Sequence, residues 1–182
     1  MKFIETAIQG LFEIEVDRLE DERGFFARAF CKKEFEAMNL CQVFVQSNIS
    51  FNKNKGIIRG MHFQAHPFDE VKLVSCIQGS IFDVAIDMRE DSPSYLKWHG
   101  CYLNGKNNKS LYIPAGFAHG YQTLEPNTAV SYMVSNYYSP SHEGGVRYDD
   151  PLVNINWPLP SSVISERDRE RKFLTAKENS GI

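Results

Sequence analysis

The chain is poor in cysteine and tryptophan and has no marked excess of either charge. Its four cysteines, Cys31, Cys41, Cys76 and Cys101, show neither the C-x-x-C spacing of a metal or redox site nor the density of a secreted disulfide scaffold. They read as ordinary reduced thiols. With 20 Lys and Arg against 23 Asp and Glu, the net charge is −3, so there is no basic field to attract nucleic acid. No apolar run approaches the ~20 residues that span a bilayer, and the opening Met1-Lys-Phe-Ile-Glu-Thr6 has no signal-peptide core. The cytoplasm is therefore the expected compartment, with neither membrane nor nucleic acid as partner. Repeats, low-complexity tracts and linkers are also missing. The 182 residues, 42% of them hydrophobic, can bury one core, so a single domain over 1–182 is expected.

What the chain does have is period-two alternation. Leu11 to Val16, Val43 to Phe51, Val71 to Ile77, Ile81 to Ile86, Ser110 to Ile113 and Val130 to Val134 are rich in β-branched and aromatic residues and read as short strands. Turn signals separate them at Asn54-Lys-Gly56, Gln78-Gly79, Glu90-Asp-Ser-Pro93, Asn104-Gly105 and Glu125-Pro-Asn127. Many short strands with no βαβ rhythm predict an all-β jelly-roll sandwich. Helix is expected only over Lys32 to Met38 and in the charged segment after Ser165, so the few short helices lie mainly near the C-terminus. Residues 178–182 are expected to fray.

The chemistry is carried by Arg59-Gly-Met-His62-Phe-Gln64, then Lys72, then Pro114-Ala-Gly-Phe-Ala-His119. A histidine beside an arginine, with a lysine close behind and few competing nucleophiles, suits proton abstraction next to a carbonyl on an anionic substrate. The cations would hold phosphate and stabilise an enolate. Plainer readings stand beside this one. His62 can be a hydrogen-bonded strand histidine, Lys72 a solvated strand edge, and Tyr132 a buried strand tyrosine. Ser165-Glu-Arg-Asp168 also reads as a helix N-cap with an acid at its third position, and Arg23 beside Gly24 as hairpin decoration.

A small jelly roll carrying these histidines resembles the cupins. Gly56 stands correctly before His62, although Gln64 occupies the place of the second histidine in the first cupin motif. Pro114, Gly116 and His119 meet the second motif, with Thr123 in place of its asparagine. His62, Glu70 and His119 thus offer a three-ligand open metal site, and a metal-dependent cupin enzyme is one alternative.

A closer resemblance runs from about Leu11 to Asp168. It is carried by Asp21-Glu-Arg-Gly-Phe-Phe26, Gln46-Ser-Asn48, Arg59-Gly-Met-His62-Phe-Gln64, Lys72-Leu-Val74 and Asp83-Val-Ala-Ile-Asp-Met-Arg89. It continues through Ser92-Pro93, Tyr112-Ile-Pro-Ala-Gly-Phe-Ala-His-Gly120, Tyr132, Tyr137-Tyr138, Asp149-Asp-Pro151 and Ser165-Glu-Arg-Asp168. In this fixed order the pieces resemble dTDP-4-dehydrorhamnose 3,5-epimerase and its nucleotide-sugar relatives. The resemblance implies a metal-free cupin, without cofactor, that inverts C3, C5 or both of a nucleotide-linked 4-keto-6-deoxyhexose in deoxysugar biosynthesis. It implies His62 as the base, Asp168 as the group that orients it, Lys72 as the enolate stabiliser and Tyr132 as the acid on the far face. Arg59 and His119 would contact the sugar nucleotide, as would Gln46, Asn48, Tyr138, Glu143 and Arg167. Arg23 and Phe26 would reach the site of a neighbouring subunit, because the family exchanges N-terminal strands in a homodimer. Arg28 falls where these relatives usually carry a glutamate near the nucleoside. The nucleotide (dTDP, CDP, UDP or GDP) stays open at this point, and a catalytically silent sugar-nucleotide-binding jelly roll remains a further alternative.

Overall fold

A computed structural model describes residues 1–175, so the fraying expected at 178–182 lies outside the described residues. Two six-stranded sheets face each other. The first contains β1 (Lys2–Glu5), β2 (Phe12–Glu15), β10 (Lys109–Ile113), β7 (Lys72–Gln78), β12 (Thr128–Val134) and β5 (Gln46–Asn52), in that spatial order. The second runs β13 (Glu143–Gly145), β6 (Ile57–Gln64), β11 (Phe117–Thr123), β8 (Ser80–Asp87) and β9 (Trp98–Asn104), with β14 (Val163–Ile164) parallel to β6. The other pairings are antiparallel. This is the expected jelly-roll sandwich.

Three layers of apolar packing follow from the strand alternation. Between the sheets lie Leu11, Val74, Ile81, Leu103, Leu111, Ile113 and Val130, all buried. On the outer face of the first sheet, Phe12, Ile14 and Tyr112 pack under Phe35, the one buried residue of helix α1 (Lys32–Ala37). The outer face of the second sheet buries Phe82, Val84 and Ile86 beneath the segment holding Val146, Val153 and Trp157. Strand β8 is thus covered on both faces, which is why Ile81 to Ile86 is almost continuously apolar.

Helix is scarce. Besides α1 there is a 3-10 turn at Pro140–His142 and α2 (Glu166–Arg169), so the longer helix is the N-terminal one. A four-residue helix cannot persist alone. The Ser165 hydroxyl accepts the Asp168 backbone N–H at 3.1 Å, a cap contributing about 1 kcal/mol, and tertiary contacts supply the rest.

Strands β3 (Arg18–Asp21) and β4 (Gly24–Ala27) form a separate two-stranded hairpin. An isolated hairpin is marginal in water. This one also leaves Leu19, Phe25 and Phe26 exposed, at 69%, 48% and 64%. Strand β5 ends the first sheet, and its outward Ile49 and Phe51 are exposed as well.

Candidate active site

A spacing of three residues would place Arg59 and His62 on opposite faces of a regular strand. Both nevertheless line one cavity. The register explains this: His119 lies opposite His62 and Tyr121 opposite Arg59, so β6 carries one extra residue where β11 carries none, a bulge that re-aims side chains. The bulge needs glycine. Gly60 has φ +127°, and a Cβ there would meet Gly120 Cα at 2.5 Å and the His119 carbonyl oxygen at 2.8 Å. The two glycines of Arg59-Gly-Met-His62 and His119-Gly120 are the point where these strands touch backbone to backbone.

The cavity, about 480 Å³, opens between the sheets. A second lobe of about 450 Å³ adjoins it. His62, Lys72, Tyr132 and Arg167 line both lobes and so stand at their junction. Arg59, His119 and Asp168 belong to the first lobe; Gln46, Asn48, Tyr138 and Glu143 belong to the second. Eleven side chains expected at one site from scattered positions are thus brought together.

His62 Nε2 lies 2.6 Å from Asp168 Oδ1, and the Asp168 side chain is only 5% exposed. Burial alone would push this carboxyl up, but the hydrogen bond and charge of His62, then the Ser165 and Gly60 contacts, hold it below the usual carboxylate range. Asp168 therefore fills both roles that its sequence context offered. Its backbone is capped by Ser165, while its side chain reaches His62. A carboxylate fixed on one imidazole nitrogen sets the tautomer and leaves the other nitrogen to act as a base.

His119 Nε2 is 2.8 Å from Oδ1 of Asp83, which is fully buried. Lys72 Nζ is 3.0 Å from Glu70 Oε1, both side chains being about nine-tenths buried. Removing one member of such a pair costs on the order of 3–5 kcal/mol. Across the cleft from His62, Tyr132 rises from β12 of the other sheet. Burial, then the charge of Glu70, pushes its phenol up, offset in part by Arg59, so it is protonated at neutral pH. Among the described residues nothing hydrogen-bonds its hydroxyl, which leaves the proton available to a ligand. On the second lobe, Glu143 accepts the Tyr138 hydroxyl at 2.6 Å and pairs with Arg167 and Arg171.

Several supporting residues were not singled out by sequence. Arg59 Nε donates to Asn52 Oδ1 at 2.8 Å; Asn52 in turn reaches the Tyr121 hydroxyl at 3.2 Å, and that hydroxyl donates to Ser50 Oγ at 2.9 Å. This buried chain aims the guanidinium into the first lobe. The one available signal was a polar residue, Asn52, ending an alternating strand.

The three-ligand metal reading is corrected by this geometry. His62 faces Asp168, His119 faces Asp83 and Glu70 faces Lys72. They do not converge, and the group of potential ligands found among the described residues is Glu13, His99 and Cys101 instead. Arg23, Phe26 and Arg28 lie outside the cleft of their own chain. Arg23 pairs with Asp21 at the tip of the hairpin, 84% exposed. Phe26 and Arg28 line a separate hollow of about 140 Å³ with Met1, Asp17, Leu19 and Glu34.

The family model described as dTDP-4-dehydrorhamnose 3,5-epimerase matches residues 5–176. A protein of that name from Sinorhizobium fredii is 42% identical over 176 residues, covering 96% of this chain and 90% of its own. The crystal structure of the Bacillus anthracis enzyme of the same name, with TDP and PPi bound, superposes with a TM-score of 0.92 at 41% identity, over 95% of this chain and 99% of that one. A Legionella pneumophila dTDP-6-deoxy-D-glucose-3,5-epimerase in complex with dTDP-4-keto-L-rhamnose gives 0.90 at 38% identity, over 94% and 92%.

Proposed function

The chain belongs to the dTDP-4-dehydrorhamnose 3,5-epimerase family, and from that premise we propose how its cleft inverts C3 and C5 of a dTDP-linked 4-keto-6-deoxyhexose. The C4 ketone acidifies the neighbouring C–H bonds. His62, oriented by Asp168, removes one proton, and the electron pair moves onto the ketone oxygen as an enolate. Lys72 stabilises that oxygen as its charge develops. Tyr132 then donates its phenolic proton to the opposite face of the carbon, which inverts the centre.

The observation that carries this reading is the opposition of base and acid. His62 stands on β6 of one sheet and Tyr132 on β12 of the other, with the cleft between them. A planar enolate held there meets a different proton donor on each face. Arg59, anchored by Asn52, suits the diphosphate. His119 on the Asp83 carboxylate, together with Gln46, Asn48, Tyr138, Glu143 and Arg167, suits the sugar hydroxyls. Binding without catalysis would need no His62–Asp168 pair facing a tyrosine.

The working unit is proposed to be a homodimer. The separate β3–β4 hairpin offers Leu19, Phe25 and Phe26, and β5 offers a sheet edge with Ile49 and Phe51 beside the second lobe. Exchange of hairpins between two copies would bury both surfaces and carry Arg23, Phe26 and Arg28 toward the partner's cleft. The cytoplasm is the proposed compartment, in keeping with four unpaired cysteines.

Incubating the purified protein with dTDP-4-keto-6-deoxyglucose in deuterated water, and following C3 and C5 by NMR, tests the reaction. Deuterium should enter both positions as the epimer accumulates. Product formed without deuterium would exclude proton removal.

A further inference from the structure

The inner edge of the sandwich farthest from the cleft carries a second set of ligating side chains. Glu13 lies on β2 of the first sheet, and His99 and Cys101 on β9, the edge strand of the second. Two residues apart on a strand, His99 and Cys101 project from the same face. His99 is in register with Ala85 and His119, and Cys101 with Asp83 and Tyr121, so this face looks inward and β8 separates the set from the cleft. His99 Nε2 is 3.0 Å from Glu13 Oε1, and one nitrogen, one sulfur and one carboxylate oxygen all lie within 4.8 Å of one another.

We propose that Glu13, His99 and Cys101 form a binding site for a borderline-soft divalent cation of the Zn²⁺ type, separate from the catalytic cleft. The donor set is the first argument. Zn²⁺ takes thiolate, imidazole and carboxylate together, with bonds of about 2.0–2.3 Å, so tetrahedral ligands stand roughly 3.3–3.8 Å apart. The observed set needs only a small inward adjustment of side chains. A hard cation such as Mg²⁺ would not use the sulfur.

The surrounding charge is the second argument. Asp83 stands in register with Cys101 on the neighbouring strand, and Glu13 belongs to the set itself, so two carboxylates lie where a cation would neutralise them. Metal binding would expel the thiol proton to water. Asp83 Oδ2 is buried without a hydrogen-bond partner among the described residues, which adds negative potential next to Cys101. Lys109 supplies the nearest positive charge, 3.4 Å from Glu13 and 2.9 Å from Glu15. It can keep its shorter contact to Glu15 and leave Glu13 to the metal. Access is available, since the His99 and Glu13 side chains remain 26% and 21% exposed while Cys101 is buried behind them.

The rival is a structural His99–Glu13 ion pair beside an inert thiol, and metal retention separates the two. The full chain, stripped with chelator, equilibrated with Zn²⁺ and desalted, should hold about one Zn²⁺ per chain by elemental analysis. Co²⁺ in its place should show a near-ultraviolet thiolate-to-metal band. Cys101→Ser should abolish that band, and His99→Gln, at a partly exposed position where folding is least at risk, should weaken Zn²⁺ retention by more than about tenfold. His62→Ala and His119→Ala should retain the metal. No Zn²⁺ on the wild-type protein, a cobalt complex without the thiolate band, or loss of metal in His62→Ala but not in His99→Gln would each overturn the site.

Discussion

In the cleft, His62 meets Asp168, His119 meets Asp83, Lys72 meets Glu70 and Arg167 meets Glu143, each partner coming from the same chain. In the β3–β4 hairpin the reverse holds. Leu19, Phe25 and Phe26 are exposed, and Arg23 pairs with Asp21, two residues away. The cleft is assembled within one chain, and its polar groups are already oriented before any ligand arrives, which is what electrostatic preorganisation requires. The hairpin, though rich in charge, carries three large apolar side chains that its own chain leaves outside. In the proposed dimer its residues would acquire a role on contact with a second copy, whereas those of the cleft are placed by the fold of one chain.

That contrast sets the scale of the expected mutational effects. His62→Ala should lower turnover by roughly 10²–10⁴-fold, the usual contribution of a general base, while a dTDP-binding assay shows little change because Arg59 keeps its Asn52 anchor. Equal losses of turnover and dTDP affinity would move His62 from chemistry to binding. Asp168→Asn should fall less far in kcat, since the imidazole remains but loses its orienting carboxylate.

Hairpin substitutions should act through assembly. Ile49→Asp on the edge of β5, or Phe26→Ser, should shift sedimentation from dimer to monomer at low protein concentration. Arg23→Ala should raise KM by about tenfold, the value of one lost charge-assisted contact, with kcat nearly kept. A monomer that turns over normally would erase the difference between the two regions.

Acid provides the smallest and sharpest contrast. Asp168 and Asp21 both have carboxyls held below the ordinary range. For Asp168 the causes are burial, which opposes the shift, and His62, which prevails; for Asp21 the first cause is Arg23. A depressed folded-state pKa contributes stability above the unfolded value near ~3.9 and loses it as pH falls through the folded value. The stability gap between wild type and Asp168→Asn should therefore be present at pH 6 and narrow below about pH 4 in denaturant titrations. Asp21 is exposed and screened, so Asp21→Asn should match wild type across the same range.

Much of this architecture was legible in the chain. Val71 to Ile77 and Ile81 to Ile86 appear as β7 and β8 with ends shifted by about one residue, and Lys32 to Met38 as α1. Strands β6 and β11, which bear His62 and His119, show no continuous alternation in the sequence. Their alternation is broken by Gly60, Gly120 and the bulge, so the feature that lets Arg59 and His62 share a cavity is the one that hides the strand. The hairpin was hidden for another reason. Its apolar residues cover no core of their own chain, so Arg23, Phe26 and Arg28 stood out only through a family resemblance. Partners such as Asp83 for His119 and Asn52 for Arg59 depend on register between distant strands, which no local pattern encodes.

Base and acid are proposed to approach the sugar from opposite sheets, and Tyr132→Phe tests this most directly. Removing only the hydroxyl leaves the ring and the His62–Asp168 pair in place. In deuterated water, NMR should then show deuterium entering C3 and C5 with configuration retained, because His62 returns the isotope to the face it came from, while epimer formation falls by roughly 10²-fold or more. Inversion at the wild-type rate in this variant would contradict the assignment of the two faces.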